Sequence, residues 1–441
     1  MEKYVVLYTE DDKSLDQGSF IPTNYETIAD VYQEGLGNCG NKVHYTALEK
    51  FLIDHNVKYK KVYNEPLSNI DEKEVSAVIY QAANILGSHR IKLLSELAKN
   101  FSTCRVPIYV FGLGIQKSLS TPVKNIVKDI EQPALNFIKS VYNSGGEIAC
   151  RGYQTKEFLD LIMPSNTAVV TGCPSIYYAG PDFQIDNKKV SLEDFKPAIN
   201  GHIKLLKQKS ITEIFTTYKN AEYFCQDDFL NLLYNKKFFE EKVNVSELIE
   251  QFSLTGLKLI AEGRINLFYD IEVWKKYLSQ NNFNFSFGSR IHGNVLPILA
   301  GIPALVYAID SRIEEIADFY NIPYITELPS EKSLYQMYLD VDYTEFNKSY
   351  PAKYKQFENF MVSHGLCEEN SYDANLYTQF LKDIKYELPH KNKENANQVK
   401  TLIENYRYNF MNKIFSFSSD YRLNKKHKIM KIFGLKIKFK L

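Results

Sequence analysis

One pattern constrains this chain more than any other: short, continuously apolar runs, each followed by a stretch with apolar residues at helical spacing. Val5 to Tyr8, Ser76 to Tyr80, Val106 to Phe111, Ile148 to Cys150 and Ala168 to Val170 are such runs. Unbroken rather than alternating apolarity is what strands covered on both faces show. The stretches between them, Lys42 to Asp54, His89 to Lys99 and Thr155 to Ile162, repeat apolar residues with the helical period. Strands alternating with helices predict an α/β domain with a mostly parallel sheet.

Around Tyr177 to Lys196 the pattern dissolves into Gly180-Pro181-Asp182 and a polar run, which reads as a linker. A second series of strands then begins, with Glu213 to Tyr218, Ile265 to Tyr269, Phe283 to Phe287 and Ala304 to Ile309 as its members. Two α/β units leave a cleft outside the carboxyl ends of their strands, where such folds bind ligands. The expected division is a first domain over residues 1–180 and a second over 195–330. Helical segments over 331–387 (Glu331 to Tyr338, Tyr354 to His364, Ala374 to Tyr386) pack on them, and residues 388–441 form a polar linker, Leu388 to Gln398, and a basic tail. At roughly 150 residues per domain, 441 residues suit two or three domains.

Composition excludes several classes of function. The 53 Lys and Arg cancel the 53 Asp and Glu, so no global field draws the protein onto nucleic acid. With 44% hydrophobic residues and 14% aromatics the chain can bury large cores. The six cysteines stand singly, without a CxxC pair, which argues against a disulfide framework or structural zinc. The N-terminus lacks the apolar core of a signal peptide and no stretch reaches the roughly 18 apolar residues of a membrane span, so a cytoplasmic protein is expected. Abundant Lys, Asn, Tyr and Ile with a single Trp274 point to an AT-rich bacterial genome.

The last twenty residues differ in kind. Arg422, Lys425, Lys426, Lys428, Lys431, Lys436, Lys438 and Lys440 are interleaved with aliphatic and aromatic residues, and no acid follows Asp420. Such a tail suits an anionic bilayer surface, at about 1 kcal/mol per basic residue, and predicts peripheral membrane contact through residues 420–441. Lys436 to Leu441 also alternates with period two, so an edge strand is the competing expectation.

The sharpest local feature is Phe285-Ser286-Phe287-Gly288-Ser289-Arg290-Ile291-His292-Gly293, an apolar strand running through a turn over Gly288 to Gly293 into a helix over Asn294 to Ala300. A strand-to-helix turn aims free N–H groups and a positive dipole end at whatever lies above it. Arg290 adds a planar fork for carboxylate or phosphate, and His292 is the nearby side chain able to exchange a proton near neutral pH. An isolated Arg-x-His is most often structural; the flanking glycines and the cleft turn this one toward function. Further glycine-bounded strand ends are Phe111-Gly112-Leu113-Gly114-Ile115-Gln116, Cys150-Arg151-Gly152 and Thr171-Gly172-Cys173-Pro174-Ser175. Gly35-Leu36-Gly37-Asn38-Cys39-Gly40-Asn41 precedes the first helix but does not directly follow the first strand, which disfavours a dinucleotide fingerprint.

Taken in succession, Gly37-Asn38-Cys39-Gly40-Asn41, Gly112-Leu113-Gly114-Ile115-Gln116, Arg151-Gly152, Gly172-Cys173-Pro174-Ser175, Ser289-Arg290-Ile291-His292-Gly293, Ala300-Gly301-Ile302-Pro303-Ala304 and Asp310-Ser311-Arg312 resemble the polysaccharide pyruvyl transferase family over residues 30 to 325. The resemblance implies two Rossmann-like halves facing a cleft, as in GT-B glycosyltransferases. It also implies phosphoenolpyruvate as donor and a surface-polysaccharide saccharide, often lipid-linked, as acceptor, with no cofactor and no metal ion. Arg290 and His292 match the family's Arg-x-His donor motif and carry the catalytic expectation. Arg151, Ser289, Gly293, Arg312, Asp310, Asn38, Asn41 and Gly114 are the expected substrate-binding positions. Asp310 and Glu262 are candidates for the general base on position alone. Where family members tend to have Gly-Gly after the third strand this chain has Gln81-Ala82-Ala83-Asn84, and Asn41 and Arg312 stand for a usual Asp and a common Lys. Two other readings fit the same cleft: a GT-B-like glycosyltransferase using a sugar nucleotide, and a saccharide-binding protein whose 32 Tyr and 28 Phe form stacking platforms.

Overall fold

The computed structural model describes residues 3–9, 40–226, 229–234, 238–239, 244–268, 270–329, 331–382, 391, 393–414, 416–420, 427–432 and 435–440. The chain divides into two compact units. The first comprises Met1–His202, Ile214–Asp227 and Asn266–Pro389, the second Ile203–Glu213, Asp228–Ile265 and His390–Leu441. The first unit carries the first parallel sheet and all of the second but Ile265.

The first sheet contains β1 (Tyr4–Thr9), β2 (Tyr59–Tyr63), β3 (Val75–Gln81), β4 (Ile108–Leu113), β5 (Ile148–Cys150) and β6 (Val169–Val170), in the order β2-β1-β3-β4-β5-β6. Its pairs are parallel. β4 is buried along its whole length, as continuous apolarity requires. Helices α1 (Asn41–Asp54), α2 (Ile91–Phe101), α3 (Val123–Asn143) and α4 (Tyr153–Ile162) alternate with its strands.

The second sheet contains β7 (Pro197–Asn200), β8 (Glu222–Phe224), β9 (Ile265–Asn266), β10 (Phe285–Gly288), β11 (Ala304–Tyr307) and β12 (Tyr324–Ile325), in the order β12-β11-β10-β7-β8-β9. Renumbered from its own first strand this is 3-2-1-4-5-6, the doubly wound order, and the winding reverses between β7 and β10. Asn200 ends β7 and Gly288 ends β10. The Arg-x-His turn therefore leaves the sheet at its switch point, where ligands bind in such folds.

Three expectations need correction. Glu213 to Tyr218 is not a strand: α5 (Lys209–Thr217) covers it, because Ile211, Ile214 and Phe215 form a buried stripe at helical spacing. The polar stretch Leu388 to Gln398 is not wholly linker, since α14 (Lys393–Ile414) begins inside it. Asn395, Val399 and Ile403 recur every four residues and are buried. The turn after β10 is also shorter than expected. Helix α9 (Ile291–Leu299) starts at Ile291 with Arg290 as an extended N-cap, so His292 and Gly293 lie in its first turn.

The helical segment after the second sheet supplies α12 (Thr344–Ser363), whose aromatic face packs on the first sheet. Phe357 stacks on Tyr177 at 4.7 Å and meets Phe111 edge-on at 5.7 Å. Tyr177, Tyr178, Tyr320, Tyr343 and Tyr350 are buried, so these tyrosines build core rather than stacking platforms. The expected linker after Tyr177 is strapped to α12, the Asn347 side chain bonding both Ile185 N–H and C=O at 2.8 Å.

In the second unit α7 (Val245–Ala261) breaks at Ser253, which has φ +59°. Asn395 of α14 donates to the Leu232 carbonyl at 3.3 Å. The basic tail forms strands: Ser416–Asp420, His427–Ile432 and Leu435–Lys440 make an antiparallel sheet. Among the described residues no helix is long and apolar enough to cross a membrane.

Candidate functional site

The site is anchored by an amide network at the switch point. The Asn200 side chain accepts from the Arg290 backbone N–H at 3.1 Å and donates to Asn294 Oδ1 at 2.9 Å. Asn294 in turn donates to the carbonyls of Gly288 at 2.9 Å and Arg290 at 3.0 Å, while Ser286 donates to Asn294 Oδ1 at 2.9 Å. All three side chains are buried, and mutual pairing makes their burial tolerable. The network leaves no room for side chains on the turn: a Cβ on Gly288 would lie 1.8 Å from the Asn200 carbonyl oxygen, and one on Gly293 2.7 Å from Asn200 Cγ. The glycines of the motif are thus explained by close approach. Ser289 is buried, and Arg290 and His292 are half-buried.

Arg151, at the end of β5, is buried, and its Nε and Nη2 both donate to the Gly112 carbonyl at 3.0 and 2.8 Å. Gly114 leaves the space it occupies, since a Cβ there would sit 2.4 Å from Arg151 Nε. Burial lowers the pKa of Arg151, opposed by the neighbouring Cys173 and Glu315. Glu315, buried in α10 (Ser311–Tyr320), accepts from Thr155 N–H at 2.6 Å and Thr155 Oγ1 at 2.9 Å, which ties α10 to α4.

Asp310 caps α10, accepting from the N–H groups of Arg312 at 3.0 Å and Ile313 at 3.3 Å, and its other oxygen holds the Arg312 guanidinium at 2.5 Å. Tyr320 of the same helix donates to the Cys173 carbonyl at 2.8 Å. Asn41 opens α1, one turn ahead of His44. Asn38 lies outside the described residues. Glu262, in the second unit, is exposed and paired with Arg264 at 2.8 Å.

The structure brings His292 together with two residues that the sequence reading did not single out. His44 is buried in α1 and stacks against His292, the ring centroids 5.9 Å apart. The Cys173 sulfur lies 3.6 Å from His44 Nδ1 and accepts from Ser175 Oγ at 3.2 Å. One ligand-type atom from each of His44, Cys173 and His292 falls within 4.8 Å of the others. Burial, then Arg151 and Arg312, push the His292 pKa down to about 3. Burial, then His292 and Arg151, hold His44 well below the usual range as well. Both imidazoles are neutral at pH 7. Cationic guanidiniums, a helix N-terminus and a neutral imidazole together suit an anion whose arrival changes the protonation of the site.

Comparison with known proteins follows the same residues. The family model described as polysaccharide pyruvyl transferase matches residues 38–311. No curated protein matches the chain significantly. Among solved structures, UDP-GlcNAc 2-epimerase from Neisseria meningitidis bound to UDP-GlcNAc is similar, with 10% identity over 82% of this chain and 100% of that one and a TM-score of 0.40. The S. aureus MnaA-UDP co-structure is similar at 11% identity over 92% and 97% of the two chains, with a TM-score of 0.37. Overlaps of this extent identify neither a substrate nor a reaction.

Proposed function

The chain belongs to the polysaccharide pyruvyl transferase family and is a transferase, and on that premise we propose that it moves the enolpyruvyl group of phosphoenolpyruvate onto a saccharide of a surface-polysaccharide precursor. Two hydroxyls of one sugar then become bridged as a pyruvate ketal. The proposed acceptor is lipid-linked, and the basic segment 420–441 provides peripheral contact with the membrane that carries it. The observation that supports the donor most directly is Arg290-x-His292 at the switch point of the second sheet, with Arg151 and Arg312 acting electrostatically on the same imidazole.

The donor carries a carboxylate and a phosphate close together, and Arg290 and Arg151 are assigned to them, with the N–H groups of the α9 first turn completing the cradle. In the resting protein His292 stays neutral because burial and two guanidiniums disfavour another positive charge. A polyanion reverses that field, so the imidazole gains a proton as the donor arrives. That proton passes to the methylene carbon, C2 becomes oxocarbenium-like, and a sugar hydroxyl attacks it, its own proton returning to the site. Phosphate then leaves, and the second hydroxyl closes the ketal and releases the last proton.

His292→Ala and Arg290→Ala test this reading. Each is expected to cost about 100- to 1000-fold in phosphate release from phosphoenolpyruvate, the usual cost of one preorganised charge donor, with thermal stability nearly intact. Full activity in both variants would remove the assignment.

A further inference from the structure

We propose that His44, Cys173 and His292 form a binding site for a divalent transition metal of the Zn2+ class. The three side chains come from distant parts of the chain: α1, the turn after β6, and the first turn of α9. Two imidazoles and a thiolate are a borderline-soft donor set that selects such ions over Mg2+ or Ca2+. The His44 Nδ1 to Cys173 Sγ separation of 3.6 Å is close to the roughly 3.5 Å between ligand atoms bound at about 2.0 and 2.3 Å in a tetrahedron. His292 completes the set within 4.8 Å, so its nitrogen has about one ångström to close onto a metal at ordinary bond lengths.

A second observation points to a ligand here. His292 Nε2 is buried without a hydrogen-bond partner, a costly arrangement for a polar atom. Three protein ligands also leave a tetrahedral ion its fourth position. Arg151, whose charge acts on both imidazoles, opposes a dication, so the affinity belongs to an exchangeable rather than a permanently held ion.

The site goes beyond the donor reading and meets it only at His292. A metal on that imidazole occupies the nitrogen that would otherwise take up a proton. The loaded protein therefore transfers slowly, and a chelator restores it.

Co2+ titration of the chelator-treated full-length protein reads the site directly, without reference to turnover. One equivalent is expected to give visible tetrahedral bands and a near-ultraviolet thiolate-to-cobalt band, displaced by Zn2+. Cys173→Ser removes the near-ultraviolet band, and His44→Gln weakens binding by more than the 10- to 100-fold typical of losing an outer partner. Cys104→Ser, at the half-buried thiol beside Val106, leaves both signals unchanged. Absence of the bands in folded protein, or their persistence in both Cys173→Ser and His44→Gln, overturns the site. Bands accompanied by faster transfer in the loaded protein keep the metal site and overturn the proton role of His292 instead.

Discussion

Asn200 accepts the backbone N–H of Arg290 at 3.1 Å, so the last residue of β7 fixes the turn that follows β10. A side chain 90 residues away in sequence thereby holds the N-cap of α9 in its extended conformation. Asn200→Ala removes the acceptor and leaves Asn294 short of a donor. The expected loss is about 1–3 kcal/mol for buried polar groups left unpaired, together with weaker donor binding, as urea unfolding and calorimetry on the same samples would record. Unchanged stability would show that the network does not hold the turn.

Gly114→Ala acts on the opposite side of the site. Its Cβ would lie 2.4 Å from Arg151 Nε, forcing the guanidinium off the Gly112 carbonyl. Affinity for phosphoenolpyruvate is predicted to fall at least about tenfold, while overpacking costs stability about 1–3 kcal/mol. Wild-type affinity in Gly114→Ala would mean that Arg151 does not touch the donor.

Acid should destabilise the protein through its two neutral imidazoles. His292 is lowered to about 3 and His44 is also lowered, so below about pH 6.5 the unfolded chain takes up protons that the folded chain refuses. Stability from these groups is present above pH 6.5 and is lost as pH falls toward the folded value, at up to about 1.4 kcal/mol per pH unit for each proton. Urea titrations from pH 7.5 to 4.5 are expected to show a shallower decline in His292→Gln than in wild type. Parallel declines would mean that His292 titrates normally in the folded state.

Asp310 separates a holding role from a catalytic one. One oxygen caps α10 and the other binds Arg312, so we assign it to positioning that guanidinium rather than to taking the acceptor's proton. Asp310→Asn keeps the cap and should retain most of the turnover, whereas Asp310→Ala loses about 1 kcal/mol of capping. A collapse of turnover in Asp310→Asn at unchanged stability would make Asp310 the base.

Much of this architecture was legible in the residues. The buried strands β1, β4 and β5 stand out because their apolar runs are unbroken and covered, and β3 and β10 because each keeps a buried apolar run around a single serine. Edge and short strands such as β2, with the half-buried pattern of Tyr59–Tyr63, and the two-residue β12 carry no such signal. The Arg-x-His turn is visible from its glycines, although α9 begins at Ile291, ahead of the expected Asn294, because Gly293 reads as a breaker in the sequence alone. His44 and Cys173 were not legible as partners of His292. No short spacing links them, and only the packing of α1 and the turn after β6 against α9 brings them together; a buried His on the apolar face of α1 was the one available hint.

The most direct measurement is a calorimetric titration of the wild-type protein and of Arg290→Ala with phosphoenolpyruvate, set beside UDP- and GDP-sugars. The account predicts that phosphoenolpyruvate binds the wild type with proton uptake, that its heat vanishes in Arg290→Ala, and that the sugar nucleotides give no heat. Binding of a sugar nucleotide alone would contradict it and assign the cleft to glycosyl transfer.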